Sequence, residues 1–158
     1  MTERDKSRDD LPWPYNGIIR DLHKAVEHDC NYLAALGMVC WSEFIGRQIA
    51  KVRRKRLKNF ACFELFVSEY MRYDLGGQGQ KVYDTFRNGL AHEFAIKGNE
   101  TAVATRIYAL DPQERVPGLA YDPQRERHFF FVEEYLRDFE AGLRRWLAES
   151  GQLQESRR

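Results

Sequence analysis

Arg87-Asn88-Gly89-Leu90-Ala91-His92 brings a guanidinium, a carboxamide and an imidazole into one short stretch. Arginine supplies a permanent forked positive charge, and histidine exchanges a proton near neutral pH. Together they suit the handling of a phosphate. Tyr83, Phe86, Leu90 and Phe94 recur at helical spacing around them, so the group should ride on an amphipathic helix. At about 100° per residue, Arg87 falls at the edge of the apolar face, while Asn88 and His92 share a side that points away from it. Arg87 and His92 then diverge by about 140°, and two copies of the helix facing each other across a two-fold axis would bring them together. Gly89, on the outer face, costs roughly 1 kcal/mol against alanine in a helix interior, which suggests close approach by another helix. A plainer reading stands beside this one. Arg87 pairs at the surface with Asp84 or Glu93, and His92 complements the C-terminal end of its helix.

Four other segments carry helical periodicity. Ile18, Ile19, Leu22, Ala25 and Val26 form the first stripe. Leu33, Leu36, Cys40, Phe44 and Ile45 form the second, widened by Met38, Val39 and Trp41 into what should be the most buried helix. Phe60, Phe63, Phe66, Val67, Tyr70 and Met71 make a third, ended by the Gly76-Gly77-Gln78-Gly79 loop. After the motif helix, Thr101 to Leu110 alternates, and Gly118 to Tyr121 and Arg127 to Val132 flank the turn signal Asp122-Pro123. These read as two or three short antiparallel strands, with His128 in a strand and Phe129-Phe130-Phe131 in the core or an interface. Val132, Tyr135, Leu136, Phe139, Leu143, Trp146 and Leu147 mark a last helix, with Glu133–Arg137 and Glu140–Arg144 pairs outside. The fold class is therefore mainly α, a helical bundle with a small antiparallel β insertion before the last helix.

The 158 residues suffice for one domain, read as 11–150, with flexible tails at 1–10 and 151–158. The prolines around Trp13 favour an extended segment that lays this residue on the domain. A net charge of +1 gives no global pull toward polyanions, so any such binding must be local. Cys30, Cys40 and Cys62 are odd in number and widely spaced, which fits reduced thiols, two or three of them in the core of a cytoplasmic protein. The longest apolar run, Tyr32 to Cys40, is too short to span a membrane.

The context Tyr83-x-x-Phe86-Arg87-Asn88-Gly89-Leu90-Ala91-His92-Glu93 resembles the motif helix of the HEPN superfamily. That family carries an Arg-x(4–6)-His motif, often with a polar residue straight after the arginine. The resemblance spans the helical core, roughly Gly17 to Phe94 and Val132 to Ala148. It implies a HEPN-like bundle, a homodimer formed through the motif helix, and a metal-independent endoribonuclease or toxin-type RNA-acting protein. In that role His92 moves a proton at a ribose 2′-hydroxyl or the leaving oxygen, Arg87 stabilises charge on the phosphate, and Asn88 orients the histidine or binds the phosphate. It also implies an antitoxin or a nucleotidyltransferase as partner. The alternative within the same family is a non-catalytic dimer that binds a nucleotide or a protein, its motif fixing the interface.

Lys51-Val52-Arg53-Arg54-Lys55-Arg56-Leu57-Lys58 holds six cations in eight residues. Arg53, Arg54, Lys55, Arg56 and Lys58 are candidate RNA-binding residues, against the simpler role of a solvated helix end. His23, His28 and Cys30 match no metal-ligand spacing, and no cofactor is expected. The glycine loop lacks the Lys-Ser/Thr of a phosphate-binding loop, and no strand precedes it.

Overall fold

The computed structural model describes residues 10–93, 101–104, 117–122 and 127–153, with side chains omitted at 89–93, 101–104, 121–122 and 127. Among the described residues, five helices build the bundle: α1 (Tyr15–Glu27), α2 (Asn31–Val52), α3 (Asn59–Glu69), α4 (Gly79–Tyr83) and α5 (Val132–Glu149). A π-helical segment, Asp84–Glu93, continues directly from α4. Three strands, β1 (Thr101–Ala104), β2 (Leu119–Asp122) and β3 (Arg127–Phe131), precede α5. The parts of the proposed tails at 1–9 and 154–158, the second half of the Thr101–Leu110 strand, the Asp122-Pro123 turn beyond Asp122, and Phe94 lie outside the described residues.

α5 has the character its periodicity gives it. All seven apolar residues of its stripe are buried, and Arg144 bridges to Glu140 at 3.1 Å. α3 likewise buries Phe63, Phe66 and Val67, and Tyr70 and Met71 just beyond its end are buried too. β2 and β3 pair antiparallel, Ala120 opposite Phe129. β1 joins the other side of β3 and runs parallel to it, Ala102 opposite Phe129, because alternation of side chains fixes a strand's faces and not the direction of its neighbour. Phe130 is fully buried against Phe86 and Tyr135, with ring centroids at 5.1 and 4.5 Å. The sheet is thus stapled to the motif segment and to α5.

α2 crosses the centre of the bundle and buries Met38, Val39 and Ile45 as expected, but Leu33 and Phe44 of the expected stripe turn outward. Its buried residues are Ala34, Ala35, Met38, Val39, Ser42, Glu43, Ile45, Gly46, Ile49 and Ala50. Leu33 is 69% exposed and Phe44 37%. Small side chains let neighbouring helices come close, so Ala34, Ala35, Ser42 and Gly46 go inward beside Met38, Val39, Ile45 and Ile49, while Leu33 and Phe44 stay out. At Gly46 an added Cβ would overlap the carbonyl oxygen of Cys62 and stand 2.6 Å from its carbonyl carbon, so α2 and α3 touch backbone to backbone.

Three further sequence readings change. Trp13 is 84% exposed, and Leu11 is the residue that docks into the core. Of the three free thiols only Cys62 is buried; Cys40 is half-buried and Cys30 exposed. Residues 151–153 turn back on α5, with Gly151 at φ 77° and Leu153 packed on the core.

Buried hydrogen bonds lock the bundle. Tyr73 donates its hydroxyl to Asp138 Oδ2 at 2.9 Å and accepts from the Gly118 N–H at 2.8 Å, tying the entry to β2 onto α5. Burial, then the charge of Asp138, pushes the Tyr73 phenol far above its ordinary value, so it stays a donor. Ser42 and Tyr135 share a hydrogen bond of 2.8 Å between α2 and α5.

His23 on α1 meets Glu140 on α5 at 3.2 Å. The hydrogen bond from His23, aided by Arg144 and opposed by burial, holds the Glu140 carboxyl below its ordinary 4.5. A depressed carboxylate stabilises the fold above its unfolded value and loses that contribution as pH falls through its folded value. Replacement by Gln should therefore cost about 1 kcal/mol at neutral pH. The cost should vanish in acid, well below pH 4.5. Urea midpoints of wild type and Glu140→Gln across this range test it, and a pH-independent difference would contradict it.

Candidate functional site

Glu43 organises the site. It lies on the inward side of α2 with 7% of its surface exposed. A carboxylate that deep must be paired and hydrogen-bonded. Tyr83, at the end of α4, donates to its Oε2 at 2.7 Å. Arg47, one turn along α2, donates to its Oε1 at 2.7 Å and to Asn59 Oδ1 at 2.8 Å. Arg87 Nε stands 3.4 Å from Oε2, an ion pair outside hydrogen-bonding geometry. Two cations thus face one carboxylate, so the cluster keeps an excess of positive charge. The Tyr83 phenol is pushed up, chiefly by burial and next by its bond to Glu43, and remains protonated.

Arg87 is therefore held from behind by a buried anion rather than by Asp84. Its side chain is 27% exposed. Among the described residues no acceptor is placed for its terminal guanidinium N–H groups. Cys40 lies near enough for Arg87 and Glu43 to act on its thiol, which burial pushes up against the pull of Arg87. Asn88 is half-buried and donates to Asp84 Oδ1 at 2.8 Å, while Gln80 donates to Asp84 Oδ2 at 2.9 Å. Asp84 therefore serves Asn88 and Gln80.

The backbone between Asp84 and Glu93 changes the relation between Arg87 and His92. In an α-helix positions five apart diverge by about 140°. In a π ladder the amide bonds reach five residues back, so positions five apart fall on nearly the same side, as positions four apart do in an α-helix. Positions 87 and 92 are such a pair within the π segment. The His92 side chain, like that of Leu90, lies outside the described residues. π geometry is rare, and where it occurs as short bulges it is frequent at functional sites.

The candidate RNA-binding residues divide. Arg53 bonds Glu69 at 2.7 Å and Tyr70 at 3.1 Å, with Glu149 at 3.9 Å, so its charge is already used within the fold. Arg54, Lys55, Arg56 and Lys58 are exposed in the α2–α3 turn. Among the described residues none of these four pairs with an acidic side chain. No group of three His, Cys, Asp or Glu side chains among the described residues is arranged to hold a metal. No helix among them is long and apolar enough to cross a membrane.

Glu43 and Arg47 are the site residues that motif reasoning passes over, and Tyr83 entered it only as an apolar position. Their signal was a lone carboxylate inside an apolar helix with an arginine four residues on. Comparison with protein-family models, curated proteins and solved structures finds no match to this chain.

Proposed function

We propose that the chain is a HEPN-like, metal-independent endoribonuclease. The observation that carries this reading is the π-helical segment, which sets positions 87 and 92 one turn apart on a common side, beside a guanidinium anchored by buried Glu43. Arg87 meets the scissile phosphate with its terminal N–H groups. His92 takes the proton from the ribose 2′-hydroxyl or delivers one to the departing 5′-oxygen. The 2′-oxygen bonds to phosphorus as the bond from phosphorus to the 5′-oxygen breaks. A 2′,3′-cyclic phosphate and a 5′-hydroxyl result. Arg87 stabilises the negative charge that gathers on the phosphoryl oxygens. Asn88, steadied by Asp84, binds the phosphate or orients the imidazole. The second proton-transfer group comes from a second copy of the chain, in a homodimer built around the motif segment at Gly89. Its partner in the cell would be an antitoxin or a nucleotidyltransferase, and its compartment the cytoplasm.

The reaction asks nothing of a divalent cation, since Arg87 and His92 supply charge and proton transfer. Cleavage of single-stranded RNA should survive excess EDTA and leave cyclic phosphate ends, read by gel mobility before and after acid opening. Activity lost in EDTA and restored by magnesium would contradict the mechanism.

A further inference from the structure

The α2–α3 turn is more than a solvated helix end. Cations offset a helix dipole only within the last turn, and α2 ends at Val52. Its last carbonyls are already met by backbone: Arg53 N–H bonds Ile49, Arg54 N–H bonds Lys51 and Lys55 N–H bonds Ala50, at 2.8 to 3.0 Å. Lys55, Arg56 and Lys58 lie beyond that reach. Arg54 sits at φ 55°, a left-handed conformation that a glycine or asparagine would adopt at less cost. With a whole-chain charge of +1, the four cations stand on a molecule whose remainder is net negative.

The outer face of α2 leads from this turn to the site. Phe44 is exposed and packs edge-on against half-buried Trp41, with ring centroids at 5.3 Å. Arg47, one turn further along, is half-exposed and bonds Asn59, the residue after Lys58. Through Glu43 it connects to Arg87. From Phe44 to the end of α2 is about 12 Å along the axis. Exposed cations beside an exposed aromatic ring are what a single nucleic-acid strand uses: phosphates on the charges, a base on the ring.

Resting on the ribonuclease reading above, we propose that Arg54, Lys55, Arg56 and Lys58 with the Phe44–Trp41 pair form a separate docking surface for single-stranded RNA, which feeds the strand to Arg87. Arg53 takes no part, because Glu69 and Glu149 neutralise it.

The test uses the full chain and a fluorescein-labelled 2′-O-methyl oligouridylate, which lacks the attacking hydroxyl and stays intact. Anisotropy is read across a KCl series. The triple variant Arg54→Gln/Lys55→Gln/Arg56→Gln should bind at least tenfold more weakly, with a log–log salt slope smaller by about two, since each phosphate contact on a single strand contributes roughly 0.7. Phe44→Ala should cost about tenfold with the slope unchanged, and Phe44→Tyr should restore binding. Lys24→Gln, on exposed α1 surface, should match wild type. All these positions are exposed, and circular dichroism confirms that each variant folds. Unchanged affinity and slope in the triple variant would overturn the proposal, as would a failure of wild type to bind the strand at low salt. Binding to phosphatidylcholine–phosphatidylserine vesicles without binding to RNA would overturn it in favour of a lipid surface. Cleavage of an all-ribose strand is scored separately. Strand binding that depends on these residues without cleavage upholds the surface and rejects the nuclease. Cleavage with binding indifferent to them does the reverse.

Discussion

Gly46→Ala should destabilise the protein by about 3 kcal/mol, lowering Tm by roughly 6–12 °C for a chain of this size. Alanine is the better helix former by about 1 kcal/mol, so intrinsic propensity alone predicts the opposite sign. Contact decides. The new Cβ would overlap the Cys62 carbonyl oxygen, and backbone cannot rotate away as a side chain can. α2 and α3 must separate, and overpacking of this kind costs on the order of 1–3 kcal/mol or more. The same shift would pull Arg47 from Asn59 and loosen Glu43 behind Arg87. Gly17→Ala on α1 is the matched control. A Cβ there meets nothing within 4 Å, so this substitution should stabilise by about 0.5–1 kcal/mol. Thermal melts of the two variants beside wild type check both signs, and a Gly46→Ala protein as stable as wild type would refute the close helix contact.

His92→Ala should reduce RNA cleavage by about 10²–10⁴-fold, the usual worth of a positioned proton-transfer group. RNA affinity should stay near wild type, because the cations that hold the phosphates remain. Arg87→Ala should weaken both cleavage and binding, since its charge acts on the bound phosphate and on the transition state alike. Its effect on stability is larger than an edge position suggests. Removing it leaves buried Glu43 with Tyr83 and Arg47 alone, at a cost of about 1–2 kcal/mol. Arg87→Lys keeps a charge near Glu43 but loses the fork, and should restore stability more than activity.

Periodicity located the five helical patterns, and in α5 it marked every buried apolar residue. In α2, where apolar side chains occur almost all round, it marked buried Met38, Val39 and Ile45 but also exposed Leu33 and Phe44. Ala34, Ala35, Ser42 and Gly46 decide which face can meet another helix, and they carry little hydrophobic signal. The residue types at 87, 88 and 92 were legible. Their geometry was not, because a projection at 100° per residue assumes an α-helix and the backbone from Asp84 adopts the π form. Glu43 was visible as an oddity: a buried carboxylate needs partners, and Arg47 stood four residues on. Tyr83 and Arg87, some forty residues away, could be matched to it only by the fold. The same holds for Arg53, whose partners Glu69 and Glu149 come from α3 and α5.

The most direct test is single-turnover cleavage of an all-ribose single strand in excess EDTA, run on wild type, His92→Ala and Arg87→Ala at matched folded concentration. Wild type should cut and leave 2′,3′-cyclic phosphate ends, and an RNA with 2′-deoxyribose at the scissile position should resist. His92→Ala should bind without cutting, and Arg87→Ala should do both poorly. A wild-type protein inactive on varied RNAs, or a His92→Ala protein that cuts at the wild-type rate, would contradict the assignment of cleavage to this motif.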